Sequence, residues 1–134
     1  MFERKDRAFL MRTFATLAVL TPVGFGTKLY RGPLDWWFHD YGGAIAYEIF
    51  WIVFFGFVFS ARRPRTIALW VFAVTCVLEA LQLWHPPFLE WVRSFFLGRA
   101  LIGNGFDWWD FPHYAVGSLA GWWIEAKIAG GEGE

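Results

Sequence analysis

The chain has 134 residues, of which 57% are hydrophobic and 22% aromatic, whereas charged residues make up 18%. Soluble domains are about 45–50% apolar, so this composition is typical of a membrane protein. The formal net charge of zero gives no electrostatic footprint for nucleic acid, and the single cysteine, Cys76, excludes a disulfide framework and a cysteine metal site.

Four apolar stretches of the sequence each have about the length of one bilayer crossing. A hydrocarbon core roughly 30 Å thick needs about 20 helical residues. Backbone polar groups in lipid can be satisfied only within a helix or a closed barrel, and the sequence lacks the alternating strands of a barrel. It therefore predicts four transmembrane helices, over Phe9–Thr27, Gly42–Ser60, Thr66–Trp84 and Phe111–Ile128.

The first apolar stretch follows a basic segment, as the core of a signal peptide does. That segment contains Arg4, Lys5, Arg7 and Arg12. No clear small-x-small cleavage motif follows, and the apolar run continues into Gly24–Gly26. We therefore expect a membrane span here and not a cleaved leader.

Basic residues are concentrated on one side of the predicted spans. They lie in the N-terminal segment and in the short connection Ala61–Arg65, and such residues mark the cytoplasmic side. The opposite connections contain Lys28, Arg31, Arg93 and Arg99, so the bias is incomplete. We expect both termini to be cytoplasmic, in a plasma membrane or an equivalent inner membrane.

The connection from His85 to Asp110 is long enough to hold structure of its own. In its segment Phe88–Leu97 the apolar residues fall at helical spacing, which predicts a short amphipathic helix in the membrane interface. Residues 1–129 are expected to form one domain, followed by a flexible acidic tail at 130–134. The predicted fold class is an all-α integral membrane protein, a bundle of four transmembrane helices with a short interfacial helix in the third connection.

Polar residues gather at the predicted outer ends of the helices. Glu79 and Gln82 are three residues apart on the third helix and share one face. Asp107, Asp110 and either His113 or Tyr114 recur at helical spacing around the start of the fourth helix, and Arg99 lies in the connection between the two. An ionisable group within a span costs at least a few kcal/mol unless it faces a partner or a wet cavity. These residues are therefore candidates for a binding site.

Each of these groups also has a structural interpretation. Glu79 and Gln82 could hydrogen-bond to Arg99 or to a neighbouring helix and hold the bundle together. Asp107 and Asp110 could cap the fourth helix and interact with its dipole. These alternatives stay open at the level of the sequence.

Two further polar and small-residue features point to packing. Glu48 lies about two turns inside the second helix, where pairing with Lys28 or Arg99 would be its structural role. Gly117 and Gly121, four residues apart, are typical of a face on which two membrane helices approach closely.

The three histidines show no ligand spacing, so neither a metal nor another cofactor is predicted.

The stretch Cys76–Glu125 resembles the VanZ-like membrane proteins. Their shared pattern is a helix with Glu-x-x-Gln, an outer loop with an Arg, and Asp-x-x-Asp leading into a helix with Asn-x-x-Gly-x-x-x-Gly. Tyr114 takes the place of the Asn, and the loop is longer and richer in aromatic residues. The matching positions are Glu79, Gln82, Arg99, Asp107, Asp110, Gly117 and Gly121. Across nearly its whole length, including Gly24–Trp51 and Ala68–Phe88, the chain also resembles a small bacterial and cyanobacterial membrane family of unknown function.

Three classes of function are compatible with these features. The VanZ-like resemblance implies binding to, or action on, a lipid-linked or amphiphilic molecule at the outer leaflet. The favoured hypothesis is a lipid-like ligand bound at an outer acidic and aromatic cluster of Glu79, Gln82, Arg99, Asp107, Asp110 and Tyr114. The alternative is a small structural or accessory subunit of a larger membrane complex. An enzyme is less favoured, with no catalytic residue assigned, because the sequence lacks a nucleophile elbow, a phosphate loop and a zinc motif. The expected partners are membrane lipids and other membrane subunits, and not nucleic acid.

Overall fold

A computed structural model describes residues 7–60, 62–84, 86–98 and 108–130 of the chain. The regular elements among these residues are all helices, which confirms the predicted all-α class for this part of the chain. A π-helical turn over Phe38–Gly42 joins the second helix to the third. The α-helices are α1 (Arg7–Leu29), α2 (Asp35–Trp37), α3 (Gly43–Val58), α4 (Pro64–Leu81), α5 (Pro87–Arg93) and α6 (Asp110–Ile128).

Three helical stretches are long and apolar enough to cross a membrane. They are Arg7–Leu29, Asp35–Val58 and Pro64–Leu81, and they correspond to the first three predicted spans. The fourth predicted span corresponds to α6, which has 19 residues. Its charged residues lower its hydropathy, so α6 is not among the three. Helix length and composition therefore establish three candidate spans and indicate a membrane protein.

The distribution of polar and apolar side chains also differs from that of a soluble protein. Glu48 and Glu79 are only 0% and 3% exposed, whereas Trp70 and Trp123 are 69% and 64% exposed. In soluble proteins glutamates are rarely fully buried, and large exposed apolar surfaces mark contact with a partner or a membrane. This bundle therefore has polar groups inside and an apolar exterior suited to lipid.

Helices α3 and α6 form the centre of the bundle. Helix α6 packs against both α3 and α4, and α1 packs against α3. A Cβ atom added to Gly117 would lie 2.8 Å from the Glu48 Cβ and 3.0 Å from the Ile45 carbonyl oxygen, and one added to Gly121 would lie 2.6 Å from the Ile52 Cδ1. The two glycines thus let the backbones of α6 and α3 approach closely, as small residues do between membrane helices.

Contacts at the two ends show that neighbouring helices alternate in direction. At one end, Arg12 on α1 donates from Nε and Nη2 to the Ile128 carbonyl oxygen of α6, at 2.9 and 2.6 Å. We call this the termini end. At the other, Lys28 Nζ donates to the His39 carbonyl oxygen at 2.7 Å. We call this the α5 end, since the connection that contains α5 follows the end of α4 there.

The second helical stretch begins earlier than predicted. Its first element, α2, begins at Asp35, before the predicted Gly42, after Gly32 (φ 151°) and Leu34 (φ 61°) turn the chain with positive φ angles. Asp35 then lies in the first turn of α2, where a carboxylate interacts favourably with the helix dipole. The following π-helical turn brings Gly42 against Thr27 of α1. A Cβ atom added to Gly42 would lie 3.4 Å from the Thr27 Cγ2.

Candidate functional site

The polar face of α6 connects two buried carboxylates on different helices. The Tyr114 hydroxyl donates to Glu79 Oε1 on α4 at 3.2 Å. One turn further along α6, Ser118 Oγ donates to Glu48 Oε2 on α3 at 2.6 Å. Since residues four apart lie on one face of a helix, α6 holds both acids through a single stripe of hydroxyl groups.

Glu48 is the most deeply placed of these acids. Its side chain is fully buried, and its Oε1 has no hydrogen-bond partner among the described residues. Thr75 on α4 lies beside the same carboxyl group, but its hydroxyl donates to the Val71 carbonyl oxygen at 2.5 Å. One carboxyl oxygen of Glu48 is therefore buried without a hydrogen-bond donor among the described residues, which lowers the free energy of unfolding.

The predicted site residues Glu79, Gln82, Asp110 and Tyr114 all lie toward the α5 end. Glu79 and Gln82 are buried, and Asp110 is half-buried and close enough to act electrostatically on the Tyr114 hydroxyl. Gln82 Nε2 donates to the Leu78 carbonyl oxygen of its own helix at 2.8 Å. The structure thus brings Glu79 and Tyr114 into direct contact. The other two members of the predicted cluster, Arg99 and Asp107, lie outside the described residues.

His113 is engaged on both ring nitrogens. Trp37 Nε1 donates to His113 Nε2 at 3.1 Å, and His113 Nδ1 lies 2.7 Å from the Trp109 carbonyl oxygen. Because an indole N–H can only donate, Nε2 accepts this bond, which leaves Nδ1 to donate to the carbonyl oxygen. Tyr41 stacks on the same ring at a centroid distance of 4.4 Å. His113 therefore links the start of α6 to the second helical stretch.

Within the described residues, no group of three His, Cys, Asp or Glu side chains could hold a metal ion.

Arg93 is a buried arginine that sequence reasoning treated only as a charge in the outer connection. It is 5% exposed. Its Nη2 donates to the Leu81 carbonyl oxygen and its Nη1 to that of Trp84, both at 3.1 Å, and Nη1 also pairs with Glu90 Oε1 at 2.7 Å. Arg93 therefore caps the end of α4. Helix α5 itself ends at Arg93, short of the predicted Leu97.

Sequence reasoning also missed three buried polar residues in the bundle, Thr75, Ser118 and Glu125. The last is 2% exposed and lies against Gly56 of α3, where an added Cβ would overlap its carboxylate. The spacing of Tyr114, Ser118 and Glu125 on α6 is four and then seven residues, which places all three on one helix face. That stripe was the available signal, and it would have indicated a polar face along the whole of α6.

One of the two expected partners of Glu48, Lys28, is not its partner in this structure, because Lys28 reaches the His39 carbonyl oxygen at the α5 end. The other, Arg99, lies outside the described residues. Glu48 instead takes a neutral donor, Ser118. This is possible because Gly117 lets α6 approach α3 closely enough for a short side chain to reach the carboxylate.

Comparison with known proteins places the chain in a family. No solved structure matches it. A family model described as a protein of unknown function (DUF2809) matches residues 33–118, which is more than half of the chain. The matched range contains both hydroxyl–carboxylate pairs, Tyr114 with Glu79 and Ser118 with Glu48. The predicted membership in a family of unknown function is thereby confirmed: the chain belongs to the DUF2809 family.

Proposed function

We propose that this protein crosses the membrane four times and binds a lipid-like or amphiphilic molecule at the α5 end of its bundle. The observation that supports the proposal is the burial of Glu48 and Glu79 within a bundle whose exterior is apolar. Carboxylates inside a membrane protein are expensive and characteristically face a partner, a substrate or a water-filled cavity.

The surface of α6 supports a fourth crossing. Tyr114 contacts α4, and Ser118 and Glu125 face α3, while Val116, Leu119 and Trp123 are exposed along another face. At a rise of 1.5 Å per residue, its 19 residues extend about 28 Å, close to the roughly 30 Å of a hydrocarbon core. Part of the low hydropathy of α6 thus comes from Ser118 and Glu125, which its neighbours cover, while the exposed Lys127 lies in its last turn.

The proposed orientation has the termini end in the cytoplasm. Arg62, Arg63 and Arg65 are exposed at that end, between α3 and α4. Positive residues in short connections mark the cytoplasmic side. The α5 end would then face outward, and α5 would lie in the outer interface, with Phe88 and Trp91 exposed and Arg93 turned inward.

The proposed ligand site combines polar groups with an aromatic surround. Its polar groups are Glu79, Gln82, Asp110 and Tyr114, together with Arg99 and Asp107. A site for an amphiphile needs an apolar wall beside a few placed polar groups, and aromatic side chains favour the membrane interface. Exposed aromatic residues near these ends of α4 and α6 are Trp84, Phe88, Trp91, Trp108 and Trp109. The VanZ-like resemblance of this part of the chain points to the same class of ligand.

Lipid analysis of the protein extracted with its native membrane tests this proposal. The wild type, Asp107→Asn and the control Asp40→Asn would be isolated in polymer-bounded discs, and their retained lipids compared by mass spectrometry. Asp40 is an exposed carboxylate in the π-helical turn. We expect the wild type and Asp40→Asn to retain an enriched amphiphile that Asp107→Asn loses while remaining folded. A well-folded Asp107→Asn with unchanged lipid would count against the ligand site.

The same experiment addresses the alternative role as an accessory subunit of a larger membrane complex. In that case a second membrane protein would remain bound in stoichiometric amounts, without an enriched lipid. Asp107→Asn would then change neither the partner nor the lipid profile.

A further inference from the structure

We propose that a groove between α3 and α4 holds one acyl chain of an anionic phospholipid, with the lipid phosphate bound at Arg62. This site goes beyond the function proposed above. It opens at the termini end of the bundle, and none of its lining residues belongs to the cluster at the α5 end. The two sites can therefore be tested separately.

The walls of the groove are apolar and largely aromatic. On α3, side chains four residues apart form a ladder of rings: Tyr47 and Trp51 lie 6.0 Å apart between centroids, Trp51 and Phe55 lie 5.6 Å apart, and Phe55 and Phe59 lie 6.2 Å apart. Helix α4 supplies the facing wall. The lining residues of α4 are Thr66, Ile67, Trp70, Val71, Val74, Thr75 and Leu78.

The size of the groove suits one hydrocarbon chain. Its volume is about 700 Å³, within the range of roughly 300–1,000 Å³ typical of small-molecule sites. The α3 wall extends from Tyr47 to Phe59, which is about 18 Å at 1.5 Å per residue. One leaflet of a hydrocarbon core is about 15 Å deep. A chain that enters at the termini end would therefore reach the middle of the bilayer beside Tyr47 and Thr75.

The mouth of the groove carries positive charge and hydrogen-bond donors. Arg62 and the hydroxyl-bearing Thr66 both line it. Helix α4 begins there at Pro64, and no side chain caps its N-terminus, so the positive end of the helix dipole faces the same place. Arg63 and Arg65 are exposed beside it, and none of the described lining residues is acidic. This combination complements a phosphate group that carries a net negative charge.

Charge complementarity therefore selects the class of lipid. A phosphatidylglycerol-type headgroup retains the full negative charge of its phosphate, whereas a choline headgroup adds a compensating cation that the arginines would repel. An arginine binds phosphate through strong charge-assisted hydrogen bonds. The aromatic ladder holds the chain, and Arg62 distinguishes the headgroup.

Two matched pairs of variants test the site in the full-length protein. Val74 and Val77 are both exposed on α4, but only Val74 lines the groove, so Val74→Trp fills it and Val77→Trp does not. Arg62 and Arg63 are both exposed, but only Arg62 lines the mouth. The protein, purified in detergent, would be titrated with phosphatidylglycerol or with phosphatidylcholine of the same chains, and bound lipid measured by native mass spectrometry.

We expect the wild type to prefer phosphatidylglycerol and to bind one molecule of it tightly. Arg62→Gln should weaken this binding about tenfold, on the scale of one charge-assisted hydrogen bond, while Arg63→Gln and Val77→Trp retain it. Val74→Trp should abolish tight binding of either lipid. Glu79→Gln should leave the groove site unchanged, which separates this result from the function proposed for the α5 end.

Three results would overturn the proposal. They are equal binding of both lipids by the wild type, equal affinities of Arg62→Gln and Arg63→Gln, and equal occupancy of Val74→Trp and Val77→Trp. The arginine pair lies on the surface and decides the matter even if Val74→Trp does not fold.

Discussion

Ser118 Oγ on α6 donates to Glu48 Oε2 on α3 at 2.6 Å, and both side chains are buried. The bond links the two central helices of the bundle at the place where Gly117 brings their backbones together. Glu48 has a second oxygen with no partner among the described residues. The pair is thus a helix-to-helix link that also supplies a hydrogen-bond donor to one oxygen of that carboxyl group.

Ser118→Ala should therefore destabilise the bundle. Interhelical hydrogen bonds in membranes average about 0.6 kcal/mol with a maximum near 1.7 kcal/mol, and the loss here leaves a buried acceptor unpaired. We expect a loss of about 1–2 kcal/mol in the free energy of unfolding, measured by denaturant titration in detergent. Thr21→Ala is the control, since the exposed Thr21 hydroxyl donates only to the Leu17 carbonyl of its own helix. Equal stabilities of the two variants would contradict the role of Ser118.

Alanine at three glycines should report how closely α6 packs on α3. At Gly117 a Cβ would meet the Ile45 backbone at 3.0 Å, which cannot easily move, whereas at Gly121 the nearest atom is the flexible Cδ1 tip of Ile52. At Gly26 nothing lies within 4 Å. We expect Gly117→Ala to lower the free energy of unfolding by about 1–3 kcal/mol through overpacking. Gly121→Ala should lower it less. Gly26→Ala should be neutral or stabilising by up to about 1 kcal/mol, because alanine favours a helix.

The melting temperatures of the three alanine variants in one detergent would establish this order. A Gly117→Ala protein as stable as Gly26→Ala would contradict the close approach of α6 to α3.

The long helices could be predicted from the sequence because chain length and hydropathy determine them. Helix α1 agrees closely with the predicted Phe9–Thr27. The end of α4 could not be predicted from the sequence. The helix stops at Leu81 and not at the predicted Trp84, and Arg93 from the next connection caps the Leu81 carbonyl oxygen. The early start of the second helical stretch at Asp35 follows the turn with positive φ angles at Gly32 and Leu34, which hydropathy alone does not indicate.

The candidate site was predictable only in part, for a related physical reason. Spacing and family resemblance singled out Glu79 and Tyr114, which are in contact. The Ser118–Glu48 pair depends on the rotation of α6 about its axis, and the close approach at Gly117 and Gly121 determines that rotation. Sequence spacing identifies a helix face, but it does not identify the neighbour that the face meets.

Arg93 should be more important for stability than its place in a connecting segment suggests. Arg93→Ala removes the donors to the Leu81 and Trp84 carbonyl oxygens and the partner of Glu90. A buried acceptor left unpaired costs about 1–3 kcal/mol, and since these two acceptors are only part-buried, we expect a loss of unfolding free energy toward the lower end of that range. Glu90→Gln should cost less, because Glu90 is 50% exposed and its ion pair is screened by solvent. Unfolding free energies in detergent would compare the two, and an effect of Glu90→Gln equal to that of Arg93→Ala would contradict the capping role.

Cysteine labelling combined with a C-terminal reporter should distinguish four crossings from three. In a Cys76→Ala background, Trp91→Cys at the α5 end should react with an impermeant maleimide in intact cells, whereas Arg63→Cys at the termini end should react only after lysis. Both positions are exposed, so the protein itself blocks neither. If α6 also crosses the membrane, a reporter fused after Glu134 lies on the same side as Arg63, in the cytoplasm. An outer reporter with a cytoplasmic Arg63 would leave three spans, and labelling of Arg63→Cys in intact cells would reverse the orientation.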